Sequence, residues 1–207
     1  MGLYGRYILP AIVDSAMSNQ EITMQRVRVV PRARGRVLEV GFGAGHNLPF
    51  YIPGKVTHLW ALEPAAEMSK RAKARLAEAR IPVELLKSDA LGIPLDDGAA
   101  DTVVITYTLC SVRTPSAALR EIRRVLKPGG KLLFAEHGEA PDADVRRHQR
   151  RITSFWRSVC GGCEVGRPIP QLIADAGFEI ADMKSGYLEQ TWRPMGFNYS
   201  GAALKPA

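Results

Sequence analysis

Apolar residues in this chain come in short blocks separated by charged or alanine-rich stretches, and block length decides what each block forms. Arg36-Val37-Leu38-Glu39-Val40, His58-Leu59-Trp60-Ala61-Leu62 and Val83-Glu84-Leu85-Leu86 are brief and rich in branched or aromatic residues, which predicts strands. Asp101 to Thr106 (DTVVIT) is a β-branched run of the kind buried on both faces of a parallel sheet. Lys131 to Glu136 (KLLFAE) reads as a fifth strand. Between these blocks, Ala65 to Ala79 has the alanine and charge content of a helix. Pro115 to Leu126 has helical spacing, with Lys127-Pro128-Gly129-Gly130 as its stop. Gly41 to Gly45 is a glycine turn with a helix predicted after it. Strands alternating with helices predict a parallel sheet joined by right-handed crossovers.

The two ends of the chain depart from this rhythm. Residues 1–34 are helical in pattern and basic, closed by Pro31 and Gly35, and form a predicted N-terminal arm. After Gly138 the alternation stops: residues 139–172 are polar, then aromatic and glycine-rich, which suggests an insertion or lid. Phe178 to Met183 and Asn198 to Leu204 read as a closing antiparallel pair, giving seven strands. The expected organisation is an arm over 1–34 and one α/β domain over 35–207.

Composition narrows the function classes. A chain of 207 residues with 46% hydrophobic and 24% charged residues suits one ordinary globular core. No apolar run approaches the roughly 18 residues of a spanning helix, and the first residues lack the charged-then-apolar order of a secretory signal. Three cysteines are an odd number for a disulfide framework, so a reducing, cytoplasmic compartment is expected. The net charge of +7 favours an anionic partner. No RNA-module signature accompanies it, so nucleic acid is not expected.

The chemistry concentrates at Glu39-Val40-Gly41-Phe42-Gly43-Ala44-Gly45, where alternate glycines let a ligand approach the main chain at the carboxyl edge of the sheet. Glu63 ends the next strand 18 positions beyond Gly45, near the spacing of about 20 for a carboxylate that grips ribose hydroxyls. The dinucleotide fingerprint would need glycine at position 46, which is His46. Glu39 just ahead of the turn would repel a pyrophosphate and attract a cation. S-adenosylmethionine, with an ammonium and a sulfonium, is such a cofactor. Asp89, after the third strand, could accept the adenine amino group while Ala90 and Leu91 pack the ring; taken alone it reads equally as a turn or cap aspartate.

These residues resemble the class I S-adenosylmethionine-dependent methyltransferases of the ubiquinone- and menaquinone-biosynthesis kind, the methyltransferase type 11 group. The resemblance covers about residues 36–137 and includes VLEVGFGAGHNLPFY, ALEP, SDALGIPLDDGAADTVVITYTLCSV and REIRRVLKPGGKLLFAEHG. Leu109-Cys110-Ser111-Val112 and Glu136-His137 are also similar to the methyltransferase-like 7 group, which contains thiol methyltransferases. Bacterial phospholipid N-methyltransferases share much of the pattern. The resemblance implies a Rossmann-like sheet with helices on both faces. It implies that Glu39, Gly41, Gly43 and Gly45 form the methionine-binding turn, that Glu63 binds ribose and that Pro64 flanks adenine. Asp89 and Ala90 would bind and cover the base, and the Thr106 carbonyl would take the methionine amino group. Residues 139–207 carry no such match.

The implied reaction is methyl transfer to a small or amphiphilic acceptor: a thiol, an amine, a phospholipid headgroup or a quinol. Its product is S-adenosylhomocysteine. The rival reading is a non-catalytic protein that binds the same cofactor. His137, after the fifth strand, is the candidate base, and Tyr107, after the fourth, could line the acceptor site. His46 is expected to pack near the cofactor carboxylate. Cys160-Gly161-Gly162-Cys163 has C-x-x-C spacing but no second pair, so it reads as a glycine loop and no metal is expected. Cys110 is expected as a small apolar filler in the helix after the fourth strand. The basic run Arg146 to Arg151 before Phe155-Trp156, together with Leu3, Tyr4, Tyr7, Ile8 and Leu9, could form a lid suited to peripheral contact with an anionic membrane.

Overall fold

The computed structural model describes residues 14, 15, 17–64 and 69–207. Its strands are β1 (Gly35–Val40), β2 (Val56–Leu62), β3 (Val83–Leu86), β4 (Ala100–Thr106), β5 (Leu126–His137), β6 (Glu179–Tyr187) and β7 (Phe197–Leu204). Its helices are α1 (Gln20–Val29), α2 (Lys70–Ala77), α3 (Pro115–Val125), α4 (Ala143–Val159), α5 (Ile169–Asp175) and the single turn α6 (Arg193–Gly196). One sheet contains all seven strands in the order β3-β2-β1-β4-β5-β7-β6. The first five run parallel, and β7 lies antiparallel between β5 and β6. This is the expected α/β architecture with its antiparallel C-terminal pair.

Apolar side chains cover both faces of the central strands. On one face α3 contributes Ala118, Leu119, Ile122 and Val125, and α5 contributes Ile169 and Ile173, against Leu38, Val103, Ile105 and Phe134. On the other, Val29 of α1 and Ala72 of α2 pack with Val37, Leu59, Ala61 and Leu133. Residues of one strand alternate between these clusters, as the two-residue period of a strand requires. Thus Val103 and Ile105 face α3 while Val104 faces α1 and α2.

Several boundaries differ from the sequence expectation. The predicted helix after the glycine turn is only a tight turn, Leu48–Phe50. Pro53 pushes the residue before it, Ile52, away from helical geometry, so little length remains. The expected stop at 127–130 lies inside β5: Leu126 pairs with Ala100, a bulge follows, and Lys131 resumes beside Thr102. Gly129, at φ 70°, carries that bulge. β6 runs on to Tyr187 because β7 pairs with it along its length. In the arm, α1 ends at Val29, and Pro31 lies in the tight turn Val30–Arg32 that follows it, ahead of Gly35 at the start of β1. Residues 1–13, with the apolar side chains expected there to join a lid, lie outside the described residues, as do residues 65–68 of the expected 65–79 helix.

Residues 139–172 are tied down by a few buried polar groups. Gln149 of α4 is 1% exposed. Its Nε2 donates toward the carbonyls of Gly138 (3.0 Å), Val165 (3.2 Å) and Pro194 (2.9 Å), and its Oε1 accepts from the Ala140 N–H at 3.1 Å. One amide thereby joins the end of β5, α4, the loop before α5 and α6. Gln149→Leu keeps much of the volume and leaves these main-chain groups without that partner. It is expected to cost about 2–4 kcal/mol in urea unfolding; a loss below about 1 kcal/mol would show that the amide is dispensable.

Candidate active site

β1 and β4 are neighbours, but the chain leaves them in opposite directions, to β2 and to β5, so their carboxyl ends open a crevice. The glycine turn follows β1 at this point. Gly41, Gly43 and Gly45 have φ of 77°, 55° and 75°, a region that side chains disfavour. The reasons for glycine then diverge. A Cβ on Gly41 would overlap the Thr108 side chain, and one on Gly45 would come within 3.0 Å of Phe42. A Cβ on Gly43 would meet nothing closer than the Gly41 carbonyl at 3.9 Å. Gly43 is therefore open above, a stretch of main chain available to a ligand.

Glu39, the penultimate residue of β1, is 1% exposed. Its carboxylate accepts from Tyr51 Oη–H at 2.8 Å and from Asn47 Nδ2–H at 3.1 Å. Asn47 Nδ2 also donates to Thr106 Oγ1 at 3.1 Å, tying the ends of β1 and β4 together across the crevice. Burial pushes Glu39 up to about 7, against the hydrogen bonds from Tyr51 and Asn47 and the charge of Arg26. Asn47 and Tyr51 escaped the sequence reading because nothing local in HNLPFY marks a side chain that reaches back to β1.

The other cofactor-side candidates follow β2 and β3 or end β4, at the same carboxyl edge of the sheet. Glu63 follows β2, and its Oε2 accepts from Gly43 N–H at 2.8 Å. Pro64 beside it is exposed. Asp89, in the loop after β3, is also exposed, and its Oδ1 accepts from Leu91 N–H at 2.9 Å, the geometry of a turn aspartate. Ala90 is buried in the core beside Leu62 and Ile93, whereas Leu91 is 41% exposed. The Thr106 carbonyl accepts from Thr108 Oγ1–H at 3.0 Å and retains a second lone pair.

The ends of β4 and β5 form the opposite wall. Tyr107 has φ 51° and donates from Oη to Asn198 Oδ1 at 2.9 Å. Its ring stacks on His137, with centroids 6.5 Å apart and planes at 19°, and Arg26 lies 5.5 Å from the tyrosine centroid. His137 is 7% exposed, and its Nε2 lies 3.3 Å from Cys163 Sγ. Beside it, Glu136 is fully buried; its Oε1 accepts from the N–H groups of Thr108 (2.8 Å) and Leu109 (3.1 Å). Burial, then the nearby Cys110 thiol, pushes Glu136 up to about 8.

Cys110 lies in the turn before α3, not in a helix; it packs in an apolar cluster with Val165, as expected of a small filler, and Cys163 and His137 also stand beside it. The Cys163 thiol holds Cys110 well below the ordinary thiol range, with His137 acting in the same direction against burial. The C-x-x-C spacing misdirected the sequence reading. Cys163 finds its neighbours 53 and 26 positions upstream, brought together by β4 and β5. His46 instead meets Asp14, with Nε2 to Oδ1 at 2.8 Å, and burial lowers it to about 4. Asp14 is itself buried and also pairs with Arg71 and Arg75 of α2. The basic run forms a solvated face of α4, except that Arg146 donates to the Ala140 carbonyl at 3.0 Å.

Comparison with known proteins gives this arrangement a family. Residues 38–134 match the methyltransferase domain family. Human thiol S-methyltransferase TMT1B is 32% identical over 201 residues, spanning 91% of this chain and 79% of that protein. Phosphatidylethanolamine N-methyltransferase of Cereibacter sphaeroides is 28% identical over 150 residues, 72% of each chain. Among solved structures, an S-adenosylmethionine-dependent methyltransferase from Aquifex aeolicus superposes with a TM-score of 0.65 over 95% of this chain and 98% of its own, at 20% identity, a likeness of fold. With the glycine turn and its buried carboxylate in place at the crevice of the sheet, the chain belongs to the S-adenosylmethionine-dependent methyltransferases.

Proposed function

We propose that the protein methylates the sulfur of a small thiol. The observation that carries this reading is the thiol S-methyltransferase relative, which is similar along nine-tenths of the chain. The acceptor side is consistent with it: the His137 imidazole stacks on Tyr107, and its Nε2 lies 3.3 Å from a thiol sulfur. The phospholipid N-methyltransferase relative and the exposed Phe155 among the arginines of α4 support a second reading, an amphiphilic amine taken at an anionic membrane surface. No described helix is long and apolar enough to cross a membrane. Three cysteines without disulfides suit the reducing cytoplasm we assign to the protein.

The residues present fit S-adenosylmethionine. Open main chain at Gly43 admits a close ligand, and the enclosed Glu39 carboxylate calls for a cation. The cofactor supplies a methyl group already activated by a positive sulfur. Glu39 and the Thr106 carbonyl hold the ammonium end; Glu63 takes the ribose. Pro64, Asp89 and Ala90 border the base. Tyr107 and His137 line the acceptor side and exclude water. Alignment of this kind can supply about 7–11 kcal/mol of the barrier without an obligatory acid or base. His137 Nε2 is engaged with Cys163 in the arrangement described, and its Nδ1 is buried without a hydrogen-bond partner.

Three outcomes are expected. Gly43→Val places a β-branched residue at φ 55°, so its melting temperature should fall by several degrees; with the fold confirmed by circular dichroism at the assay temperature, S-adenosylhomocysteine binding should weaken at least tenfold by titration calorimetry, a loss of about 1.4 kcal/mol or more. Glu39 is charged above about pH 7 and neutral below, so affinity for this ammonium-bearing ligand should strengthen as pH rises through about 7, with a slope of at most about tenfold per pH unit. Glu39→Gln should flatten that slope; an equal slope in the variant would remove Glu39 from the site. Finally, turnover against a panel of small thiols, amines, quinols and phospholipid vesicles should be fastest with a thiol. Binding without turnover of any acceptor would favour the non-catalytic reading.

A further inference from the structure

Cys110, His137 and Cys163 come from three separate segments: the turn after β4, the end of β5 and the loop between α4 and α5. All three are buried, and their Sγ and nitrogen atoms lie within 4.8 Å of one another, with Cys163 Sγ and His137 Nε2 at 3.3 Å. Tetrahedral zinc, with Zn–S near 2.3 Å and Zn–N near 2.0 Å, places its ligand atoms roughly 3.5–3.8 Å apart. Small side-chain movements therefore suffice. Among the described residues no fourth cysteine, histidine or carboxylate joins the three.

The surroundings brace this set. The Cys110 carbonyl accepts from Glu164 N–H at 2.9 Å, locking the first cysteine to the residue after the second. Buried Arg167 donates through Nη1 to the Val112 carbonyl at 2.7 Å and to that of Leu109, so the turn bearing Cys110 is fixed from both sides. A second observation is independent of the cysteines: Glu136 Oε2, beside His137, is buried and has no hydrogen-bond partner. Two sulfurs and an imidazole offer a cation three ligand atoms, and the half-satisfied Glu136 carboxylate, outside the ligand set, adds negative charge near them.

We propose that Cys110, His137 and Cys163 form a binding site for a zinc-class divalent cation, with the fourth coordination position left to a sulfur ligand from outside the chain. Three protein ligands with one position free is the arrangement of catalytic rather than structural zinc. A cation already held by two thiolates favours a soft donor in that position. The turn that carries Cys110 also touches the glycine turn, through Thr108 against Gly41, so the cluster is one loop away from the cofactor residues. Each thiol that binds as thiolate releases its proton to solvent. The cation site stands on the three side chains alone; only the identity of the fourth ligand rests on the thiol reading above. With the cation bound, His137 is a ligand and not a base.

The test uses the full chain, purified reduced, stripped with a chelator and titrated with cobalt(II) and with zinc(II). One equivalent of metal per chain and thiolate-to-cobalt charge-transfer bands are expected. Cys110→Ser and Cys163→Ser should each lower retained zinc at least tenfold, with circular dichroism confirming that the variants fold. A small thiol should shift the cobalt bands where its alcohol counterpart does not. Failure of the wild-type chain to bind either metal, or unchanged binding in both serine variants, overturns the site. Unshifted bands with thiol overturn the fourth-ligand assignment. Cobalt bands in a chain that methylates no thiol refute the acceptor reading while upholding the metal.

Discussion

A carboxylate enclosed beneath bare main chain is the constraint around which this molecule is arranged. Glu39 is taken out of water at the end of β1, and the chain supplies it with a phenol and an amide but no directly bonded cation. Burial displaces it toward neutrality, to about 7, and Arg26 offsets this only in part; a cation bonded to the carboxylate would favour the charged form. The glycine turn leaves Gly43 open beside it, and Asn47 extends the same network to Thr106 on β4. The crevice thus has a fixed polarity before any ligand arrives, set by the divergence of β1 and β4.

A second buried carboxylate, Glu136, does for the opposite wall what Glu39 does for the first. It clamps the Thr108 and Leu109 amides and so shapes the turn that presents Tyr107 and Cys110. The positive φ of Tyr107 is the local cost of that turn, of order 1–3 kcal/mol, and is found where ring, imidazole and thiol converge. Segment 139–172 then adds Cys163 from beyond the parallel sheet, held by Gln149 and Arg167. One wall comes from the alternating half of the chain, and the other needs both halves.

This division explains what could be read from the sequence. The strand blocks, the glycine spacing and the carboxylates Glu39 and Glu63 are local patterns, and periodicity and spacing expose local patterns. The closing antiparallel pair was also legible, short by a few residues where β7 extends its partner. The Cys110–His137–Cys163 cluster was not legible, because its members lie in different segments and Cys160 offered a nearer, misleading partner for Cys163. Asn47 and Tyr51 were hidden for a related reason: their value lies in reaching back to β1, and the helix expected there does not form ahead of Pro53. The roles of Asp89 and Pro64 depend on a ligand's shape, which neither propensity nor packing encodes.

Recognition of positive charge by Glu39 can be read from a calorimetric double cycle. S-adenosylhomocysteine and an analogue lacking its amino group are each titrated into the wild-type chain and into the Glu39→Gln chain. The account requires the missing amino group to cost the wild type about tenfold or more and the variant far less, a coupling of at least about 1 kcal/mol. Equal losses in the two chains would contradict it.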